Sequence, residues 1–228
     1  MFENNDWERA QKILERLRES FTLPRWISSR HDPFETLVIT IISQNTSDRN
    51  TEKAFQNLSR KFPITPQALA SAGTAEIEEC LRVAGLYRNK AKVIKEVARI
   101  ILEKFGGNLK TVLTLPFEDA RRTLLELPGV GPKTADVLLL FSAGQPTLPV
   151  DTHVKRVSKR LGLAPAKGDY EDVRCSLQLL YKPEDYAAVH ILLILLGRKY
   201  CKARNPNCGP CPVNVLCPSR VGQRSAKP

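Results

Sequence analysis

Apolar residues recur along the chain at intervals of three and four, and no segment alternates apolar and polar positions as a half-buried strand does. The pattern predicts an all-α protein of about ten helices, delimited by start and stop signals. The helices are expected at Asp6–Ser20, Pro33–Ser43, Asp48–Phe62, Thr74–Val83, Tyr87–Phe105, Phe117–Leu127, Pro132–Ser142, Asp151–Leu161, Asp169–Tyr181 and Glu184–Tyr200.

Capping residues and helix breakers set the ends of these predicted helices. Thr74 and Asp151 stand where an N-cap side chain is expected, and Gly106–Gly107 ends the long helix that begins at Tyr87. The stretch Ala143–Pro149 is rich in glycine and proline, which favours a crossing between two domains.

Charge and hydropathy narrow the class of protein. The chain has 35 Lys and Arg against 24 Asp and Glu, and its net charge of +11 favours a polyanionic partner such as nucleic acid. The longest apolar run, Ile191–Leu196, is too short to cross a bilayer, so no membrane partner is expected. The N-terminus lacks the basic start and apolar core of an export signal, so we expect a cytoplasmic protein.

The segment Pro128–Gly131, with the sequence PGVG, separates two predicted helices. Its two glycines can take positive φ and let the backbone approach a ligand closely. The next helix begins at Pro132, and N–H groups at a helix N-terminus bind phosphate. An ordinary connection between helices has the same outline, but the basic charge and the following Lys133-Thr134-Ala135 favour a DNA-backbone site.

Two residues at predicted helix starts carry opposite charges. Lys133 lies where the helix dipole disfavours a cation, which favours a neutral amine able to attack a sugar C1′ and form a Schiff base. Asp151 lies where the dipole stabilises its carboxylate, which can support an oxocarbenium-like transition state. On this reasoning alone, a phosphate-binding lysine and a simple N-cap aspartate remain open alternatives.

Four of the six cysteines form a dense cluster with the spacing Cys-x6-Cys-x2-Cys-x5-Cys: Cys201, Cys208, Cys211 and Cys217. Four thiolates hold either zinc or an iron–sulfur cluster. Structural zinc sites usually have two short pairs, and the single short pair here favours a structural [4Fe–4S] cluster. The first gap carries Lys202 and Arg204, which suit phosphates. The isolated Cys80 and Cys175 are expected to pack as small hydrophobes.

Together these motifs resemble the endonuclease III family of helix–hairpin–helix (HhH-GPD) DNA glycosylases, from about residue 30 to residue 217. The matching segments are GLYRNKA at 85–91, LPGVGPKTADVLL at 127–139, VDTHVKRV at 150–157, and GRKYC at 197–201 with the three later cysteines. The cysteine spacing and the lysine–aspartate pair are specific when they occur together.

The resemblance implies a two-lobed all-α fold. A six-helix barrel over residues 34–145 would carry the hairpin, and a discontinuous lobe over 1–33 and 146–228 would carry the [4Fe–4S] cluster, with DNA in the cleft between them. Lys133 corresponds to the nucleophile of the family and Asp151 to its catalytic aspartate. The cluster ligands would be the four cysteines of the dense group.

The resemblance also implies DNA contacts at the hairpin residues Gly129, Val130 and Gly131. Leu86 corresponds to a side chain that wedges into the duplex, and His153 to a histidine near the DNA backbone. A core leucine and a helix-surface histidine remain equally open. The family usually fills the flipped-base gap with a glutamine three residues before an aspartate. Counting back from Asp48 gives Asn45, with Gln44 one residue earlier, and either side chain can fill the gap.

The resulting prediction is a monomeric base-excision-repair DNA glycosylase with AP lyase activity, acting on duplex DNA that contains damaged bases or abasic sites. It would remove oxidised or otherwise damaged pyrimidines and nick 3′ to the abasic site by β-elimination. One alternative is a mismatch glycosylase that removes thymine, uracil or adenine, although such relatives often lack the lysine. Others are a non-catalytic iron–sulfur DNA-binding protein and a zinc-bound module.

Overall fold

The computed structural model describes residues 4–28 and 31–220, and this part of the chain contains helices and no β-strand. The all-α prediction is confirmed. None of these helices is long and apolar enough to cross a membrane. The α-helices of the described residues are α1 (Asn4–Ser20), α2 (Pro33–Ser43), α3 (Asp48–Lys61), α4 (Pro66–Ser71), α5 (Thr74–Leu81), α6 (Tyr87–Phe105), α7 (Lys110–Leu113), α8 (Phe117–Leu125), α9 (Pro132–Phe141), α10 (Thr152–Arg160), α11 (Tyr170–Leu180) and α12 (Tyr186–Lys199).

Two of these helices, α4 and α7, were not predicted from the sequence. They contain six and four residues, too few for a period of 3.6 to emerge from the apolar pattern. α4 is instead specified at its start, where the Thr65 hydroxyl accepts a hydrogen bond from the N–H of Ala68 and Pro66 occupies the first helical position.

The N-cap of α5 is Gly73 and not Thr74, which is the first helical residue. A Cβ at Gly73 would lie 2.9 Å from the Glu76 carboxylate, so glycine leaves room for that side chain to fold back and accept the backbone N–H of Gly73. A hydrogen bond from Lys61, whose Nζ lies 2.9 Å away, holds the pKa of Glu76 below its ordinary value. The predicted Thr74 cap is therefore wrong: Thr74 is the first residue inside α5, and the cap position is held by Gly73, which has no side chain.

The chain divides into two units, each with its own core. The inserted unit is Arg30–Gln145, and the terminal unit combines Met1–Ser29 with Pro146–Pro228. The inserted unit buries apolar side chains from α2 to α9, among them Leu37, Ile41, Leu58, Leu81, Ile94, Ile101 and Leu124. In the terminal unit, α1 and α10 each pack against both α11 and α12. Their core includes Ile13, Leu17, Val157, Leu177 and Leu192.

Candidate functional site

The predicted glycine hairpin joins α8 to α9 in the inserted unit. Gly129 has φ of +75°, and a Cβ there would lie 2.6 Å from a methyl group of Val93, so both conformation and space require glycine. Val130 is buried, and its N–H donates to the carbonyl of Leu127 at 3.1 Å, which anchors the turn. Gly131 is extended at φ of −98°, and a Cβ there would meet no atom within 4 Å. The backbone beside Gly131 is thus open to a ligand.

Helix α9 begins at this hairpin without a side-chain cap. Its N-cap is Gly131, which has no side chain, and its first residue is Pro132, which has no backbone N–H. An uncapped helix start carries a partial positive charge that favours an anion such as phosphate. Lys133 is the second residue of this helix and is half-buried. The structure therefore places the predicted nucleophile beside the predicted phosphate site.

A buried ion pair fixes α9 against α8 one turn beyond Lys133. Asp136 is fully buried, and its carboxylate accepts a hydrogen bond from Nε of Arg121 at 2.9 Å. Because breaking a buried pair leaves an uncompensated charge, typically at a cost of about 3–5 kcal/mol, this contact holds the two helices in register. This pair was not predicted from the sequence. Its only signal was one acidic residue within the apolar run TADVLLLF.

The residues that follow α2, Gln44–Ser47, form a loop that we call the Gln44 loop. The side-chain amide of Gln44 donates to the carbonyl of Gly129 at 3.1 Å and so ties this loop to the hairpin. Asn45 has φ of +54° and is exposed. The two candidates for the gap-filling side chain therefore differ: Gln44 contacts the hairpin and Asn45 projects into solvent.

Gly85 and Leu86, which we call the Leu86 turn, precede α6. Both residues have positive φ, +64° at Gly85 and +47° at Leu86, and Leu86 adopts the left-handed α conformation. For leucine this conformation costs roughly 1–2 kcal/mol, and in return the turn presents a side chain that is 62% exposed. The alternative of a core leucine at position 86 is therefore wrong. A large apolar side chain on a strained, exposed turn is suited to insertion into a ligand.

Asp151 lies in the terminal unit, whereas Lys133 lies in the inserted unit. Asp151 is the N-cap of α10, and its carboxylate accepts the backbone N–H of Val154 at 2.7 Å. The predicted cap is confirmed, and the side chain remains half-exposed. This single contact satisfies one lone pair of the carboxylate and leaves acceptor capacity for a further ligand.

The segment before Asp151 is held by two side chains whose roles were not predicted from the sequence. The Nδ1–H of buried His190 donates to the carbonyl of Pro149 at 2.8 Å, and the N–H of Val150 donates to the hydroxyl of Tyr170 at 3.3 Å. These contacts join α11 and α12 to the chain that enters α10. They position the Asp151 backbone independently of its own cap.

His153 packs between α10 and α12. A Cβ on Gly197 of α12 would lie 3.0 Å from the ring Nδ1 of His153, so glycine permits the close approach. The guanidinium of Arg156 lies 3.1 Å from the same nitrogen. Because arginine can only donate, Nδ1 of His153 is the acceptor in this contact. The ring is half-buried at this position.

Two arginines of α10 organise the loop that begins at the first cysteine. Arg156 donates to the carbonyl of Cys201 at 3.0 Å, and Arg160 donates to the carbonyls of Lys202 and Ala203 at 2.7 Å and 3.0 Å. The loop is closed by a hydrogen bond of 2.9 Å from the N–H of Asn207 to the carbonyl of Tyr200. Its side chains at Lys202 and Arg204 are exposed.

All four clustered cysteines line one small pocket of the terminal unit. Its apolar wall comes from Leu161, Leu196 and Val213. Burial raises the pKa of the Cys211 and Cys217 thiols. The folded chain thus gathers these residues around a common space.

The other two cysteines differ from each other. Cys80 is buried in the core of the inserted unit, which confirms the expectation that it packs as a small hydrophobe. Cys175 is exposed on α11, so the same expectation was wrong for it. The apolar face of α11 is formed by Val173, Leu177 and Leu180, and Cys175 lies outside it.

Comparison with known proteins agrees with this geometry. Residues 38–183 match the HhH-GPD superfamily of base excision DNA repair proteins. Endonuclease III of Thermotoga maritima is 40% identical over 187 residues, which are 82% of this chain and 83% of that protein. Endonuclease III of Escherichia coli K12 is 38% identical over 208 residues, covering 90% and 93%. The Sulfolobus acidocaldarius enzyme is 34% identical, covering 91% and 95%.

Solved structures show the same fold. A trapped covalent intermediate of endonuclease III with DNA superposes with a TM-score of 0.81 at 32% identity, covering 96% of this chain and 97% of that one. A non-covalent endonuclease III–DNA complex gives the same values. A thermostable thymine-DNA glycosylase, at 21% identity and a TM-score of 0.73, shares the fold.

These similarities define a helix–hairpin–helix base excision repair protein. Within that superfamily, the chain belongs to the endonuclease III family. The prediction of a base-excision-repair DNA glycosylase and lyase of this type is confirmed.

Proposed function

We propose that the protein, acting as a monomer, removes oxidised or otherwise damaged pyrimidines from duplex DNA and nicks the strand 3′ to the resulting abasic site. The observation that carries this proposal is the uncapped start of α9 behind the hairpin, with Lys133 in its first turn. A phosphate bound there brings the adjoining sugar within reach of the lysine amine. The DNA complexes solved for endonuclease III support duplex DNA as the ligand.

Lys133 is the proposed nucleophile. Its neutral amine attacks C1′, and the bond from C1′ to the base breaks, so the base leaves with the bonding electrons. One amine proton passes to the departing base and the other to O4′ as the sugar ring opens, which leaves an imine. Loss of a C2′ proton then breaks the bond between C3′ and its oxygen, and the 3′ strand departs. Water hydrolyses the imine and frees Lys133.

Asp151 is the proposed carboxylate partner. As an anion at a helix start, it stabilises the positive charge that develops on the sugar while the base departs. Its cap to the N–H of Val154 fixes the carboxylate in one orientation before substrate arrives. Preorganisation of this kind lowers the barrier without a reorganisation cost at the moment of reaction.

The other predicted site residues are proposed to bind the DNA backbone and to separate the stacked bases. The hairpin residues 129–131, the half-buried His153 and the exposed Lys202 and Arg204 are proposed to contact phosphates. Leu86 is proposed to wedge into the duplex, and Gln44 or Asn45 to occupy the gap left by the flipped base. A damaged pyrimidine stacks less strongly, so the unpairing cost of a few kcal/mol falls for the substrate.

The four clustered cysteines are proposed to hold a [4Fe–4S] cluster. All four thiols line one pocket with an apolar wall, and their sequence spacing contains only one short pair. Four thiolates are the usual ligands of a [4Fe–4S] cluster, and the long outer gaps favour this wider group over a single zinc ion. The bound cluster would supply a rigid core for the loop that presents Lys202 and Arg204.

The cluster assignment predicts the behaviour of cysteine variants. The purified protein should be brown and contain about four irons per chain. Cys211→Ser removes one of the four proposed cluster ligands. The variant should lose the iron and the visible absorbance, and its Tm should fall because the loop loses the cluster as its core. Cys175→Ser removes an exposed cysteine of the same unit and should change neither quantity. A colourless protein with stoichiometric zinc would contradict the assignment.

A lesion panel tests the proposed substrate class. Duplexes carrying a pyrimidine hydrate, a T·G mismatch or a preformed abasic site are incubated with the protein, with and without borohydride. We expect excision and nicking at the pyrimidine hydrate, nicking at the abasic site, and a borohydride-trapped adduct with both. Selective excision from the T·G duplex without nicking would instead assign the mismatch activity.

A further inference from the structure

Lys90, on the first turn of α6, is a buried lysine that the proposed mechanism does not use. The residue is 3% exposed, and its ammonium donates hydrogen bonds to the carbonyls of Ile42 at 2.8 Å and Ala84 at 3.0 Å. No ion pair to Lys90 occurs among the residues that the structure describes. Burial lowers the pKa of this lysine. Since an unpaired buried cation is costly, a role beyond filling space is expected for it.

The two acceptors of Lys90 both lie at the ends of helical segments. Ile42 belongs to the last turn of α2, and Ala84 is the last residue of a short 3-10 helix, Arg82–Ala84. Carbonyls at such ends have no acceptor role within their own helix, and a cation there is favoured by the helix dipole. The Lys90 side chain therefore joins the ends of two elements that are 42 residues apart in sequence.

Each of these ends leads directly into a loop that the proposed function places in DNA. Ile42 is followed by the Gln44 loop after one residue, and Ala84 is followed immediately by the Leu86 turn. The backbone N–H of Lys90 also donates to the carbonyl of Leu86 at 3.0 Å. This backbone bond belongs to α6 itself, whereas the Lys90 ammonium links the residue before the Leu86 turn to the end of α2, which leads into the Gln44 loop.

We propose that Lys90 is a positioning residue for base extrusion: it fixes the Leu86 turn and the Gln44 loop relative to each other, so that the wedge and the gap-filling side chain enter the duplex together. This inference rests on the proposed roles of those two loops. Lys90 touches neither the sugar nor the base, and it acts through the backbone of the loops. Its effect should therefore be confined to steps that require a base to leave the stack.

The experiment compares two single-turnover rates in Lys90→Met: excision of a pyrimidine hydrate and incision at a preformed abasic site, which has no base to extrude. We expect excision to fall at least about tenfold and incision to change less than threefold, since two hydrogen bonds are lost at the loops alone. A 2-aminopurine placed beside the lesion should show a smaller rise in fluorescence on binding. Lys90→Gln retains two N–H donors, and it should recover part of the excision rate and part of the fluorescence rise.

Lys95→Met is the matched control. Lys95 lies on the same helix, and its ammonium donates to the carbonyl of Ala72, the C-cap residue of α4, at 2.5 Å. The Lys95→Met variant therefore loses the same kind of contact at a loop with no proposed DNA role, and its excision and incision rates should both remain unchanged. Melting temperatures of the three variants report any loss of folding.

The outcomes separate this inference from the function on which it rests. An equal loss of excision and incision in Lys90→Met, or unchanged excision with a normal fluorescence rise, would overturn the positioning role. If Lys90→Met is unfolded at the assay temperature, the ratio of the excision rate to the incision rate in Lys90→Gln tests the proposal instead. A wild-type protein without activity on any pyrimidine lesion would defeat the proposed function instead.

Discussion

Lys133→Gln is expected to abolish the borohydride-trapped adduct and strand nicking. Glutamine retains most of the length of the side chain but has no nucleophilic amine, so no covalent intermediate can form. Removing a nucleophile typically lowers turnover by roughly 10⁴- to 10⁶-fold. A denaturing gel of protein with a labelled duplex measures both effects, since the adduct migrates more slowly than free DNA and the nicked strand migrates faster.

Lys110→Gln serves as the control for this substitution. Lys110 is also a lysine at a helix start in the inserted unit, where it is the first residue of α7 and exposed. The variant loses the same charge and should retain both the adduct and the nicking. A persistent adduct in Lys133→Gln would show that another amine is the nucleophile.

Asp151→Asn is expected to slow release of the base by about 10²- to 10³-fold while DNA affinity changes less than threefold. The lost charge is the one that stabilises the developing cation on the sugar. Asparagine caps helices about as well as aspartate, so α10 should keep its start and the protein its melting temperature. Single-turnover excision, a binding titration and a thermal melt measure the three quantities.

Asp169→Asn repeats the same chemical change at a second capping aspartate of the terminal unit. Asp169 is the N-cap of α11, where its carboxylate accepts the N–H of Asp172 at 2.9 Å. Normal excision is expected in this variant. If Asp151→Asn weakened DNA binding or lowered the melting temperature as much as it slowed excision, Asp151 would be a structural cap and not a catalytic residue.

Local sequence signals predicted the long helices and their ends well. α2 and α6 have the predicted bounds, the predicted Asp151 cap is observed, and α11 begins one residue after its predicted start at Asp169. Such features depend on neighbours within four residues, which the sequence displays directly. The N-cap of α5 was misplaced by one residue, because Gly73 occupies that position without a side chain and Thr74 beside it has the usual chemistry of a cap.

The site was predictable only in part, for a physical reason. The hairpin and the lysine after it form one continuous segment, PGVGPK, so this part of the site can be recognised from the sequence alone. The contacts of Lys90 and Arg121 are different in kind. Lys90 meets a carbonyl 48 residues away, and Arg121 meets a carboxylate 15 residues away on the next helix. A lysine or arginine on a helix gives no local sign of such a partner, and only the folded backbone identifies it.

The split construction of the terminal unit has a consequence for biosynthesis. Helix α1 packs against α11 and α12, and about 150 residues separate its end at Ser20 from the start of α11 at Tyr170. At about 5–20 residues per second, a ribosome needs roughly 8–30 s to deliver the first of these partners. Throughout that interval the apolar face of α1, with Ile13 and Leu17, has no core to enter. The nascent chain therefore carries an unpacked apolar helix face until α11 and α12 emerge, whereas every residue of the inserted unit has left the ribosome once Gln145 has done so.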